Sequence, residues 1–247
     1  MSHKRKILIL GATGSIGKVV LKNLLLSNYQ VVGIGFKKKK IFIKNYLGLK
    51  KVPYFDFYNC DLSKLHQVRN LIKKIIIKHR FIDTFVNCAG TINRKSFERE
   101  TEKEFEKIFN TNFVSSKIII KYLIKNMKKK NFGRIIHLSS QVSRIPHGHA
   151  GPSYEISKIA QNALSRNLAF FYGKYNIFSN SIIVGTVKSS MQNDLGEDFI
   201  KKIKSKIPIK RLGTADDIAN LVNFLIGEKN GYINGACINI SGGSVLD

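Results

Sequence analysis

The chain has 247 residues, 43% of them hydrophobic, enough for one well-buried α/β domain, and no Pro-rich, Gly/Ser-rich or repeated stretch divides it. Its 42 Lys and Arg against 16 Asp and Glu give a formal charge of +26, but the lysines run through the whole length, which favours compositional drift over a dedicated basic face. With no zinc-finger spacing and no aromatic RNA-binding pattern, nucleic acid is not an expected partner; no apolar run approaches a membrane span, so no membrane is expected either.

The apolar run behind the basic "MSHKRK" is too short for a signal-peptide core. Three scattered cysteines, Cys60, Cys88 and Cys237, form no CxxC pair and no zinc spacing. They fit a reducing compartment, and the cytoplasm is the expected location.

In chain order, "KILIL" (6–10) predicts a first strand, followed by a helix on which Ile16, Val20 and Leu24 recur at helical spacing. "QVVGI" (30–34) predicts a second strand, and "YFDFYNCD" (54–61) contains a third. A helix through Val68, Leu71, Ile72 and Ile75 leads to a fourth strand, "TFVN" (84–87). One long helix is expected over 101–127, a fifth strand over 134–140, a second long helix over 154–172 and a sixth strand over 177–184. A polar segment (186–206), a helix over 215–227 and a short strand near "ACINI" close the pattern. Such alternation predicts a Rossmann-like, doubly wound parallel sheet of about seven strands with helices on both faces, its ligand at the carboxyl ends of the strands.

The loop "GATGSIG" (11–17) lies between the first strand and its helix. There, glycines let backbone approach a pyrophosphate, and the helix N-terminus offers unpaired N–H groups. Gly11 ends the strand, Gly14 is expected to relax the turn, and Gly17 lets the helix lie close to the sheet. An Asp or Glu after the second strand would accept from the ribose hydroxyls of NAD and repel the extra phosphate of NADP. "GIGFKKKK" (33–40) has no acid there, which favours NADP(H). Lysine runs also occur elsewhere, as at 128–130, so the missing acid carries more weight than the lysines.

"YEISK" places Tyr154 and Lys158 four apart on one helix face. "LSS" brings Ser139 and Ser140 to the ligand edge of the fifth strand, and Asn112 in "NTNF" carries an amide that needs a partner if buried. Each is weak alone; their order, with "NCAG" (87–90) after the fourth strand, is specific.

With "CDLS" (60–63), "KRLGTADDIANLVNFL" (210–225) and "INGACINISGG" (233–243), these motifs make essentially the whole chain resemble the short-chain dehydrogenase/reductase family. Within it, the 3-oxoacyl-[acyl-carrier-protein] reductases are most similar. The resemblance implies that Tyr154 protonates the carbonyl oxygen as hydride arrives from the nicotinamide, and that Ser140 holds that oxygen. It implies that Lys158 binds the nicotinamide ribose and lowers the phenol pKa, and that Asn112 holds a water passing protons to Lys158. A phenol titrates near ~10, so bringing it within ~2–3 units of neutrality asks about 3–4 kcal/mol of neighbouring positive charge.

The cofactor contacts so implied are Gly11, Thr13, Gly14, Ser15, Ile16 and Gly17 in the first loop, and Phe36, Lys37 and Lys38 after the second strand. Asp61 and Leu62 follow the third strand, Asn87, Ala89 and Gly90 the fourth, and Gly185, Val187 and Ser189 the sixth, beside Tyr154 and Lys158. Asp61 matches an adenine-contacting Asp. Asn87 is as well placed to steady the central strands as to touch cofactor. Ser189 stands where an amide-binding Thr is usual.

There are departures: Leu10 replaces a Thr before the first glycine, Val184 replaces a Pro after the sixth strand, and the Ser140–Tyr154 segment is one residue longer than is usual. Glycines at 11, 14 and 17, with Ser15 between, are more familiar from the extended branch of the family, whose longer C-terminal part this chain lacks. His147 and His149 lie in the longer segment, where histidines more often face solvent. The 186–206 segment matches the mobile lid of relatives.

The leading expectation is a cytoplasmic NADPH-dependent reductase of 3-oxoacyl thioesters on acyl carrier protein, in fatty acid synthesis. Carrier proteins are acidic, and Lys128, Lys129, Lys130 and Lys174 lie near where relatives dock them. A second reading is another family reductase, serving a polyketide, sugar, steroid or small ketone. A third, a non-catalytic NADP-sensing protein, predicts a damaged tetrad, whereas Asn112, Ser140, Tyr154 and Lys158 are all present. A homo-oligomer, tetramer or dimer, is implied through the helices at 101–127 and 154–172.

Overall fold

Lys6–Leu10 (β1) is buried at four of its five positions, as a strand covered on both faces must be. In the computed structural model, which describes residues 5–36, 54–146, 149–189 and 196–246, β1 is an inner strand of a seven-stranded sheet. The other strands are β2 (Gln30–Gly35), β3 (Phe55–Asn59), β4 (Thr84–Asn87), β5 (Gly133–Leu138), β6 (Ile177–Val184) and β7 (Cys237–Ile240). All neighbours pair in parallel, in the order β3-β2-β1-β4-β5-β6-β7. The order reverses between β1 and β4, so the crevice of a doubly wound sheet opens there, at the carboxyl ends.

Alternating side chains split the core into two layers. One holds Ile7, Ile9, Val86 and Ile136 under α1 (Gly17–Leu26) and α7 (Ala215–Ile226), which pack on each other. The other holds Leu8, Leu10, Phe85 and Ile135 under α2 (Leu65–His79) and α4 (Ser115–Lys130). On the same side, α3 (Glu102–Phe109) packs against α5 (Pro152–Tyr172). Among the described residues, no helix is long and apolar enough to cross a membrane.

The predicted elements are found, with differences of local chemistry. The helix expected over 101–127 is interrupted: Asn110–Val114 forms a π turn between α3 and α4. Such a π turn is a single-turn bulge inside an otherwise helical run, and the reading of 101–127 as one helix passes over it. β5 stops at Leu138, and Ser139 and Ser140 leave the strand; Ser140 caps the 3-10 turn Gln141–Ser143. α5 starts two residues before Tyr154, with Pro152 in its first turn, where a missing N–H costs nothing. The polar segment contains α6 (Glu197–Lys206). Lys37, Lys38 and His147 lie outside the described residues.

Candidate active site

At the crevice, Gly11 has φ of +79°, and a Cβ there would lie 2.6 Å from the Ala89 nitrogen. A Cβ on Gly17 would run into the Gly11 carbonyl oxygen. The first loop therefore folds tightly against the β4 end, and α1 starts directly behind it. The residue preceding α1, Ile16, makes no side-chain cap; the Lys18 and Val19 N–H groups donate to the Gly14 and Ile16 carbonyls (both 3.0 Å), so within the first turn the N–H of Gly17 is the one left for an anion. Gly14 is not among the positive-φ glycines and its Cβ would meet only the Gly11 oxygen at 3.3 Å; the turn's conformational freedom is exercised at Gly11, which corrects the expectation for Gly14.

Beyond this cradle lies a cleft of about 540 Å³ that gathers Ile16, Ala89, Gly90, Gly185, Val187 and Ser189 with Ser140, Tyr154 and Lys158. Thr13 has a different place: its hydroxyl accepts from the Phe36 N–H (3.3 Å), tying the loop to the end of β2, where Phe36 itself is exposed. Asp61 accepts from both the backbone N–H (3.0 Å) and the hydroxyl (2.7 Å) of Ser63, and Leu62 is buried in the core. The Asn87 oxygen accepts from the Ala89 N–H (3.1 Å), a bond that shapes the turn after β4.

The reactive groups meet at the inner end. Tyr154 is buried on the first turns of α5, and Lys158, one turn on, lies 5.6 Å from its ring centroid. Burial pushes the phenol above its ordinary value, while a hydrogen bond with the Ser140 side chain and the Arg94 charge pull it back. Lys158 is 4% exposed and donates to the Leu138 carbonyl (2.7 Å). Burial brings its ammonium down to about 8, so it keeps its charge at neutral pH. Cys88 lines the same cleft, but burial pushes its thiol up to about 12, which removes it as a nucleophile.

Asn112 is fully buried in the π turn, facing Thr91 and α5. Its oxygen accepts from the Thr91 N–H (2.8 Å), and its amide donates to the Thr91 carbonyl and to the Ser157 hydroxyl (both 3.0 Å). Its backbone carbonyl accepts from Gln161 (2.7 Å) and Asn87 (3.4 Å). The side chain is thus engaged in joining the β4 loop to α5, and the carbonyl in its bonds with Gln161 and Asn87.

Several lining residues carried no signal in the sequence. Gln141 donates to the Thr186 hydroxyl (3.4 Å) and accepts from Ser244 (3.0 Å), joining three loops. Arg94, Lys202 and Lys206 also line the cleft. Arg94 follows "NCAG" by four residues, yet one arginine in so basic a chain stands out only once its place is seen.

A parallel sheet with a glycine cradle at its switch point, beside a buried Ser–Tyr–Lys group, defines a nicotinamide-dependent oxidoreductase. A family model described as "Enoyl-(Acyl carrier protein) reductase" matches residues 11–244. The chain is 32% identical over 246 residues to the 3-oxoacyl-[acyl-carrier-protein] reductase FabG of Buchnera aphidicola subsp. Schizaphis graminum, covering 99% of this chain and 98% of that one. It is 25% identical over 245 residues to the acetoacetyl-CoA reductase of Acinetobacter sp., covering 98% of each. Among solved structures, "ElxO with NADP Bound" superposes with a TM-score of 0.88 at 28% identity, covering 98% of both chains. The chain belongs to the short-chain dehydrogenase/reductase family.

Proposed function

We propose that this enzyme reduces a 3-oxoacyl thioester to the 3-hydroxyacyl thioester with NADPH, the acyl group being carried on acyl carrier protein in fatty acid synthesis. The observation that carries the chemistry is that Tyr154, Ser140 and the buried ammonium of Lys158, one helical turn from Tyr154, line one cleft. The relatives named above, two reductases of 3-oxoacyl groups, support the substrate class.

When bound, the reduced nicotinamide supplies a hydride to the carbonyl carbon. Tyr154 gives its proton to the carbonyl oxygen; burial keeps the phenol protonated at neutral pH, as a proton donor must be. Ser140 donates to the same oxygen and fixes it near the phenol. Lys158 steadies the phenolate left behind, and its remaining N–H donors hold the ribose hydroxyls. Asn112 acts as a positioning residue, through the bonds that set the β4 loop against α5. The preference for NADP(H) rests on the missing acid after β2, where Phe36 follows Gly35. Assembly into a tetramer or dimer is part of this reading, and exposed Ile156, Ile159, Phe170 and Phe171 give α5 an apolar outer face for it.

Steady-state rates with acetoacetyl thioesters, a sugar and simple ketones, each with NADPH and NADH, test the proposal. Preferential turnover of the thioester with NADPH is expected. Good turnover of a simple ketone or sugar with none of any 3-oxoacyl thioester overturns it.

A further inference from the structure

Beyond Lys158, three cations line the described part of the cleft, Arg94, Lys202 and Lys206, and no Asp or Glu lines it. They come from two segments far apart in the chain. Arg94 is on the loop after β4, where its guanidinium donates to the His149 carbonyl (2.7 Å). Lys202 and Lys206 are one turn apart on α6, both exposed and neither in an ion pair among the described residues. The His149 and Phe199 rings meet edge-on at 4.4 Å and join the two segments. The acids of α6 are elsewhere: Asp198 pairs with Lys201 (3.4 Å), and neither lines the cleft.

Ile92, Val142, Ile145, Ile203 and Ile207 give the same cleft an apolar lining. The cleft therefore combines a reactive polar group, an apolar lining and cations on two segments, one of which, Arg94, acts on Tyr154. Positive charge on two segments of a concave, low-dielectric site concentrates anions there, however basic the rest of the surface. A substrate matching this lining has a reacting carbonyl, an uncharged arm and an anion for the lysines of α6.

We propose that Lys202 and Lys206 form a subsite for the phosphate of a phosphopantetheine arm, whether coenzyme A or a carrier protein bears it. This rests on the thioester reading above and adds residues that select the arm.

Acetoacetyl-4′-phosphopantetheine and acetoacetyl-pantetheine differ only in that phosphate. For the wild-type enzyme, kcat/KM is expected to be about tenfold higher for the phosphorylated thioester, as for one well-placed charge-assisted contact. In the Lys202→Gln/Lys206→Gln double variant that ratio falls toward one, while the KM for NADPH stays put. A wild-type ratio near one overturns the subsite. An equal loss for both thioesters also overturns it, since the lysines would then only support the lid. A raised KM for NADPH would assign them to the cofactor instead. If neither thioester is reduced, the thioester reading fails, and calorimetry of 4′-phosphopantetheine on NADPH-loaded enzyme decides the subsite: binding that the double variant loses keeps it, and no binding removes it. Acetoacetyl-coenzyme A against acetoacetyl-carrier protein then separates the two bearers.

Discussion

At the amino end of the sheet Arg5 forms an ion pair with Asp83 (3.2 Å), donates to the Ile226 carbonyl and the Thr84 hydroxyl, and stacks over Phe132 at 4.8 Å. Arg134 beside it lies between the Phe132 and Phe178 rings, 4.4 and 4.2 Å from their centroids, and burial brings its guanidinium down to about 10. At the carboxyl end Lys158 is equally buried, but its ammonium has one hydrogen bond, to a backbone carbonyl, and no carboxylate contact among the described residues. A buried cation without a paired anion is costly. Arg5 is a structural charge with its donors matched. Lys158 keeps donors in hand, facing a cleft, and that unmatched capacity, more than burial, marks the functional end.

The comparison is broken most decisively at Tyr154. Tyr154→Phe removes the proton donor and keeps the ring, so kcat/KM is expected to fall by about 10²–10⁴, with cofactor binding and melting temperature nearly unchanged. Steady-state kinetics beside a cofactor fluorescence titration measure both. Undiminished turnover would show that the phenol is not the acid and would revive a cofactor-sensing role.

The opposite behaviour is expected at the amino end. Arg5→Ala leaves the Asp83 carboxylate, 4% exposed, with only the Lys6 N–H (2.7 Å) and the Thr84 hydroxyl (2.7 Å). Breaking a buried pair from one side costs about 3 kcal/mol, readable in urea unfolding, while kcat of the folded enzyme stays at the wild-type value. A loss of kcat without a loss of stability would couple the two ends and void the distinction.

Much of this contrast was legible in the sequence, and the reason differs by residue. Tyr154 and Lys158 are four apart on a helix, so local periodicity alone puts them on one face. Parallel strands buried on both sides read as continuous apolar runs, which is why the alternation of elements emerged without a template. Asn112 is a different case: its residue was visible, but its role depends on a π turn that redirects its bonds toward Thr91 and Ser157. Arg94 and Lys202 belong to segments more than a hundred residues apart, and only the fold brings them to one cleft. Gly14 and Gly11 look alike in sequence, and the backbone alone separates them.

A smaller effect comes from Lys158 itself, read as stability. Its folded value of about 8 lies below the ordinary 10.5. Below pH 8 both states hold the proton and the folded state bears the whole burial cost. Between pH 8 and 10.5 the folded chain releases it while the unfolded chain keeps it, so folding strengthens as pH rises. Lys158→Met is therefore expected to be inactive yet more stable at pH 7 by about 2 kcal/mol, after the loss of the Leu138 bond is counted. That advantage shrinks between pH 8 and 10.5. A constant difference across this range would mean that the burial cost is relieved by groups not seen around Lys158.

The smallest change is expected at Ser15. The loop's geometry is set by Gly11, whose φ of +79° and 2.6 Å approach to Ala89 leave no room for a side chain, and by Gly17, which lets α1 begin against the Gly11 carbonyl. Phosphate binding then falls to the backbone at the start of α1, where the Gly17 N–H is left over once Lys18 and Val19 have bonded the Gly14 and Ile16 carbonyls. Ser15 contributes a hydroxyl at the edge of that backbone, so Ser15→Gly should change the Kd for NADPH by about threefold or less, the scale of one exposed neutral hydrogen bond. Fluorescence titration of NADPH checks it. A complete loss of binding would transfer the anchoring of the phosphates from backbone to hydroxyl, and the serine between the glycines would become the residue on which this variant of the loop depends.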